Sequence, residues 1–348
     1  MPGFESIIGQ DRPIRILTTF LQKGTVPHAL LFTGIEGVGK QSAAVTFAMA
    51  CNCTGDHSEN KSEWPDHRVA DGCSTTNRPR ITNPCGNCKS CRKIESENHP
   101  DIIRINPSGV FIKIDQIRAL CRTLAMRPYE AGMRIVLIFD AQAMNPAAGN
   151  ALLKVLEEPP TGTILILVAN HTSDLLSTIV SRCRHIRFNP IPRTEMESIL
   201  VRRHGLDPEN AKIIAAMADG SFSRALHMYR TNWISRRNWL ISELDSLSSE
   251  SLSRLLAFGE QLAKNKDALP DALEVMKSWL RDLVISKLYP EKIIHQDLTE
   301  NVHRASQKMS ITSLLSKLET IQSTQNAIQA GTNLRLAMET MVLKLSRI

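Results

Sequence analysis

Aromatic rings are scarce in this chain: nine Phe, four Trp and three Tyr among 348 residues. A protein that grips single-stranded nucleic acid by base stacking needs exposed aromatic platforms, and this composition argues against a dedicated single-strand binder. Long apolar runs are missing too. A membrane-spanning helix needs roughly 18 consecutive apolar residues, whereas the longest clean runs, such as Ile135 to Phe139, have the length of a strand. The opening MPGFESIIGQ carries neither the basic segment nor the apolar core of a secretory signal. The expectation is a cytoplasmic protein with no membrane partner. In that compartment thiols stay reduced, so the eight cysteines need an explanation other than disulfides.

What is present is an ordinary globular composition, 42% hydrophobic and 22% charged. At roughly 100–200 residues per domain, the length allows two or three domains. The 42 Lys and Arg against 35 Asp and Glu leave a net charge of +7. That fits a polyanionic partner and fits mere solubility equally well.

Short apolar runs at Ala29 to Phe32, Ile102 to Asn106, Arg134 to Asp140, Ile164 to Ala169 and His185 to Phe188 alternate with helical patterns. This alternation predicts an α/β core over 1–190, a parallel sheet covered by helices on both faces. The first helix is expected to start near Asp11 to Pro13, with an acidic cap before a first-turn proline. From about 191 the strand signal disappears. Arg193 to Arg230 reads as short helices broken at Gly205 to Pro208 and at Gly220, giving a small helical domain over 191–245. A serine-rich stretch then leads into amphipathic segments, Ala272 to Leu288 and Ile311 to Leu345, which predict a C-terminal helical bundle over 246–348. Thr54 to Pro84 has no periodicity and reads as an irregular insertion.

Three clusters carry chemistry. Gly34-Ile-Glu-Gly37-Val-Gly39-Lys40 follows an apolar strand and precedes an Ala-rich helix, the context of a phosphate-binding loop. Its glycines let successive N–H groups face an anion, and Lys40 reaches toward the β- and γ-phosphates. Gln41 stands where that motif carries a Mg²⁺-ligating hydroxyl, and Ser42 comes one place late, rotated about 100° around the helix. ATP with Mg²⁺ and an inherited, empty loop both remain open. Arg134 to Asp140 has the form of a Walker B strand, yet Ala141 and Gln142 follow, and no carboxylate stands there to polarise a water.

Cys85-Gly-Asn-Cys88-Lys-Ser-Cys91 gives two successive C-x-x-C spacings, which bring thiolates to one tetrahedral metal and favour Zn²⁺. Cys53, at the end of the loop helix, is the first choice for the fourth ligand, with Cys73 and Cys51 behind it. A closed four-sulfur site is structural, and the knuckle insertion spans 53–91. Cys121 and Cys183 read as free thiols.

Together with Phe4-Glu-Ser-Ile-Ile-Gly-Gln10, the string Asn150-Ala-Leu-Leu-Lys-Val-Leu-Glu-Glu-Pro-Pro160 and Ser181-Arg182-Cys183, these features resemble the AAA+ clamp-loader family of bacterial DNA polymerase III. The resemblance spans nearly the whole chain. It implies an AAA+ P-loop core, a helical lid and a C-terminal collar that oligomerises through segments such as Trp279 to Leu283 and Asn333 to Glu339. It also implies that Arg182 is an arginine finger acting in trans, that Arg224 in Gly220 to Leu226 is a sensor 2 residue touching nucleotide, and that Asn170 lies at sensor 1. The implied partners are ATPase and delta-like subunits in a ring, with the sliding clamp and primer-template DNA reached through that complex near the nucleoid.

The leading reading is a clamp-loader subunit without hydrolysis of its own, inside a nucleotidyltransferase holoenzyme. An ATP-hydrolysing gamma- or tau-like motor is the alternative, against which Gln41 and Ala141 weigh. A stand-alone zinc-dependent DNA-binding module fares worst, because the cysteine cluster interrupts an ATPase-like core.

Overall fold

The computed structural model describes residues 3–55, 82–247 and 250–347. They form two compact units, Met1–Pro192 with Gly220–Ser223, and Arg193–Asp219 with Arg224–Ile348.

The first unit is built on five parallel strands, β1 (Ala29–Thr33), β2 (Ile102–Ile105), β3 (Arg134–Ile138), β4 (Thr163–Ala169) and β5 (Arg184–Arg187), in the spatial order β2-β3-β4-β1-β5. Each expected strand is found, with ends shifted by a residue or two. The three central strands are buried along their whole length, which is why they read as unbroken apolar runs rather than as alternating ones. Successive side chains still point to opposite faces. Leu30, Phe32, Ile135, Leu137, Ile164 and Ile166 join one core layer, and Leu31, Val136, Ile138, Leu165 and Leu167 join the other.

The helices of this unit are α1 (Asp11–Lys23), α2 (Lys40–Asn52), α3 (Lys89–Glu95), α4 (Ile114–Leu124), α5 (Pro146–Glu157) and the single turn α6 (Ser177–Val180). Phe47 and Ala48 of α2 pack in the first layer, while Ile117 and Leu120 of α4 and Leu152 of α5 pack in the second. One expected detail is corrected. Asp11 is not the cap of α1 but its first residue, and Gln10 precedes it without a capping side-chain bond. The Gln10 amide is otherwise engaged: it donates to Asn189 O at 2.7 Å and accepts from Asn189 N at 3.1 Å, fastening the start of α1 to the chain beyond β5.

The order of the strands decides where the functional loops meet. β4 lies between β3 and β1, so the carboxyl ends of these three strands are adjacent, and ligands in open α/β sheets bind outside such ends. The loop after β1, the aspartate after β3 and the asparagine after β4 therefore converge.

The second unit is helical among its described residues: α7 (Arg193–His204), α8 (Pro208–Met217), α9 (Phe222–Arg230, entering from Arg224), α10 (Trp233–Ser246), α11 (Leu252–Lys264), α12 (Leu269–Leu288), α13 (Thr299–Gln307), α14 (Ile311–Gln329) and α15 (Leu334–Arg347). The segment read as continuous from Ile311 is two helices, because Gly331 takes φ 89° and the chain turns there. α12 is the hub. It buries Trp279, Leu280 and Leu283 together with Asp282, whose carboxylate accepts from Ile294 N, His295 N and His295 Nδ1 at 2.8–2.9 Å. Lys317 of α14 is buried as well and donates to Leu345 O at 2.7 Å, tying α14 to α15.

Candidate functional site

The loop between β1 and α2 has the shape that its glycines dictate. Gly34 has φ 147°, and a Cβ there would stand 2.4 Å from Phe188 O. At Gly37, φ is 78° and a Cβ would meet Ser221 Oγ at 2.2 Å. Neither position tolerates a side chain. Gly39, at φ 97°, precedes Lys40 at the start of α2. The segment 220–223 closes over this loop, with Ser223 N donating to Gly37 O at 3.2 Å.

Lys40 is 6% exposed and turned back on its own loop. Its Nζ donates to Gly34 O, to Ile35 O at 2.9 Å and to Asn170 Oδ1 at 3.1 Å. Asn170 also accepts from Gly34 N through its backbone carbonyl at 3.1 Å. Burial pulls the lysine's pKa below its ordinary value, against the opposing pull of the Asp140 and Glu36 carboxylates. An arriving phosphate must take the ammonium from these acceptors.

Asp140 follows β3 in a left-handed conformation, φ 50°, and accepts from Gln142 Nε2 at 3.2 Å. Ala141 is fully buried in the apolar layer on the α4 and α5 side. A carboxylate in its place would be driven into hydrocarbon, at a cost that a lone buried charge does not recover. Gln41 and Ser42 open α2 and line a cavity of about 420 Å³ with Thr46, Arg104 and Phe139. Lys40, Asp140 and Asn170 thus gather at the carboxyl ends of the central strands around the glycine loop, and Gln41 and Ser42 line the adjoining cavity.

Arg182 lies elsewhere in the same unit, just past α6. Its Nη1 donates to Thr178 O at 2.9 Å, and its Nη2 pairs with Glu157 Oε1 at 2.6 Å. Arg224 belongs to the second unit.

The cysteines form a separate centre. Sγ atoms of Cys53, Cys85, Cys88 and Cys91 all lie within 4.8 Å of one another, and Cys53 and Cys88 are 4.0 Å apart. Four thiolates at about 2.3 Å from a tetrahedral zinc would sit about 3.8 Å apart, so the donor set and its spacing fit such an ion. Backbone N–H groups already point at the sulfurs: Cys85 N at Cys53, Cys88 N at Cys85 and Cys91 N at Cys88, each at 3.3–3.4 Å. Burial pushes the Cys88 thiol up, but hydrogen bonds from the Cys91 and Thr54 N–H groups outweigh it and bring the pKa to about 6. For Cys53 and Cys91 burial dominates and the shift is upward. Cys51 is not among the four, and burial raises its thiol to about 12. Cys73 lies outside the described residues. α3 is anchored beside this centre, as Lys93 Nζ pairs with Glu130 at 2.5 Å.

Sequence reasoning missed three side chains. Ser221 and Ser223 close over the glycine loop from a distant stretch, and Glu157 holds Arg182. Both lie in stretches that carried the resemblance, Gly220 to Leu226 and Asn150 to Pro160, but neither stretch says locally what its side chains will meet.

A family profile described as DNA polymerase III, delta subunit, matches residues 9–192, and one described as the C-terminal part of that subunit matches residues 231–347. The chain belongs to the DNA polymerase III delta-subunit family. Within it, the chain is 26% identical over 341 residues to DNA polymerase III subunit delta' of Bacillus subtilis, covering 97% of this chain and 96% of that one. Identity to subunit delta' of Pseudomonas aeruginosa is 34% over 158 residues, 45% of this chain and 41% of that protein. Subunit tau of Escherichia coli is 30% identical over 230 residues, but this stretch is 65% of the present chain and about a third, 32%, of tau. The full-length likeness is thus to delta', and this member of the family is a clamp-loader subunit, as the motif string implied.

Proposed function

We propose that this delta'-type subunit helps to assemble the clamp loader and to trigger ATP hydrolysis in a neighbouring subunit, without hydrolysing ATP itself. The observation that carries this reading is Ala141, fully buried at the position where a general base would have to stand. Lys40, satisfied by its own loop, and Gln41, with no hydroxyl for Mg²⁺, support it. The glycine loop, Asp140 and, from the lid, Arg224 remain the residues that would contact ATP if it binds. The test is direct. The purified chain should show negligible ATP turnover, and robust activity abolished by Lys40→Ala would overturn the reading.

In this reading Arg182 reaches the γ-phosphate held by the adjacent ATPase subunit and stabilises the charge that develops there. The chain works as three parts: a core over 1–190, a lid over 191–245 and a collar over 246–348 that joins the ring of ATPase and delta-like subunits. The sliding clamp and primer-template DNA are met through that ring, in the cytoplasm near the nucleoid. Cys53, Cys85, Cys88 and Cys91 would hold one structural Zn²⁺, which fastens the end of α2 to α3 and supplies no reactive position.

A further inference from the structure

Glu157 is the last residue of α5, where a carboxylate meets the negative end of the helix dipole and is disfavoured. Arg182 offsets that arrangement through the 2.6 Å ion pair, while its Nη1 donates back to Thr178 O at 2.9 Å and lies 3.4 Å from Ser181 Oγ. The guanidinium is thus folded against its own chain on three acceptors. An arginine acting on a nucleotide outside the chain needs the opposite posture, extended and with N–H groups open to phosphate oxygens. Both members of the pair are partly exposed, 36% for Arg182 and 51% for Glu157, so the contact is accessible and exchangeable rather than a core element.

We infer that Glu157 is a latch for the Arg182 finger, a carboxylate that holds the guanidinium folded back until the γ-phosphate of a neighbour's ATP displaces it. This deepens the proposed trans role of Arg182 and rests on it. The competition is between anions for one cation. A triphosphate offers a terminal group of higher charge than the carboxylate and takes the arginine, whereas a diphosphate, which ends one phosphate short, does not. Glu157 would then make the subunit respond to the triphosphate state of its neighbour and stay folded back after phosphate is lost. Partly exposed ion pairs are weak, so the latch is light and releasable, a bias of about two- to fivefold.

The experiment uses the full clamp-loader complex reconstituted with its ATPase subunits, sliding clamp and primed DNA. It compares wild type, Glu157→Gln, Arg182→Ala and the double variant, with assembly followed by gel filtration. Glu157→Gln should raise kcat/KM for ATP about two- to fivefold and tighten binding of ADP with beryllium fluoride, a γ-phosphate mimic, by a similar factor. Affinity for ADP alone should not change, a split that a merely structural residue would not produce. Arg182→Ala should depress turnover at least about tenfold, and the double variant should match it, because a latch has no effect without its bolt. If Arg182→Ala turns over ATP like wild type, the finger reading itself fails. If Arg182→Ala is impaired while Glu157→Gln is unchanged or slower, or if Glu157→Gln still accelerates in the Arg182→Ala background, the finger stands and the latch is overturned.

Discussion

Asp101 illustrates how much a single buried charge organises. It is 1% exposed, and its carboxylate accepts from Tyr129 N, Glu130 N and Ala131 N at 2.7–2.8 Å, with Arg134 Nη2 at 3.8 Å. Burial pushes its pKa up, but the three N–H donors and the guanidinium outweigh it and hold the carboxyl below its ordinary value. Asp101→Asn should destabilise the first unit by about 3 kcal/mol, measured as a lowered urea midpoint at neutral pH. The pH dependence has a definite sign. Folding depresses this pKa, so the contribution is complete above the unfolded value near 3.9 and is lost as pH falls through the folded value. The gap between wild type and Asp101→Asn should therefore narrow in acid. A gap that stays constant from neutral pH to pH 3 would contradict this account. None of this was legible in the sequence, because Asp101 pairs with a turn nearly thirty residues away and has no motif around it. Lys40, by contrast, was visible from its glycines, although its engagement with Asn170 was not.

At the level of elements, the cysteine centre joins the end of one helix to the start of another. Cys53 follows the last turn of α2, Cys88 caps α3 and Cys91 lies within it. Metal analysis of the purified protein should give about one zinc per chain. Cys88→Ser should lose the metal and lower the melting temperature, and a folded, metal-free wild-type protein would refute the zinc assignment. The double C-x-x-C made three of the sulfurs readable from sequence. Cys53 is the first choice for the fourth from sequence, and separating it from Cys51 depends on where α2 ends in space. A second element-level case is Gly259 on α11, where an added Cβ would lie 2.9 Å from Glu339 Cα of α15. The two helices approach as closely as a missing side chain allows. Gly259→Leu should cost about 2 kcal/mol or more in overpacking, seen as a lower thermal midpoint with little change in helix content. An unaffected midpoint would mean that α15 yields easily. Nothing local in the sequence singles out Gly259, and its use appears when the facing helix is known.

For the molecule as a whole, the decisive measurement is clamp loading by the reconstituted complex with and without this chain. Loading should require it, while Lys40→Ala in this chain alone should leave loading within about twofold of wild type if hydrolysis belongs to other subunits. A large loss with intact assembly would show that nucleotide at this loop matters. Here the limits of the sequence differ from those at smaller scales. Strand runs, helix periodicity, the glycine loop, the C-x-x-C pair and the absence of a carboxylate after Asp140 are local properties, each written in a few neighbouring residues, and they determined the fold class and the family. The tertiary structure decided what depends on distant stretches meeting. It set the strand order that brings Lys40, Asp140 and Asn170 together, laid Ser221 and Ser223 over Gly37, added Cys53 to the other three sulfurs and placed Glu157 against Arg182. These contacts follow from how buried strands and helices pack in three dimensions, where residues far apart in the chain compete for the same few ångströms, and no local pattern encodes that competition.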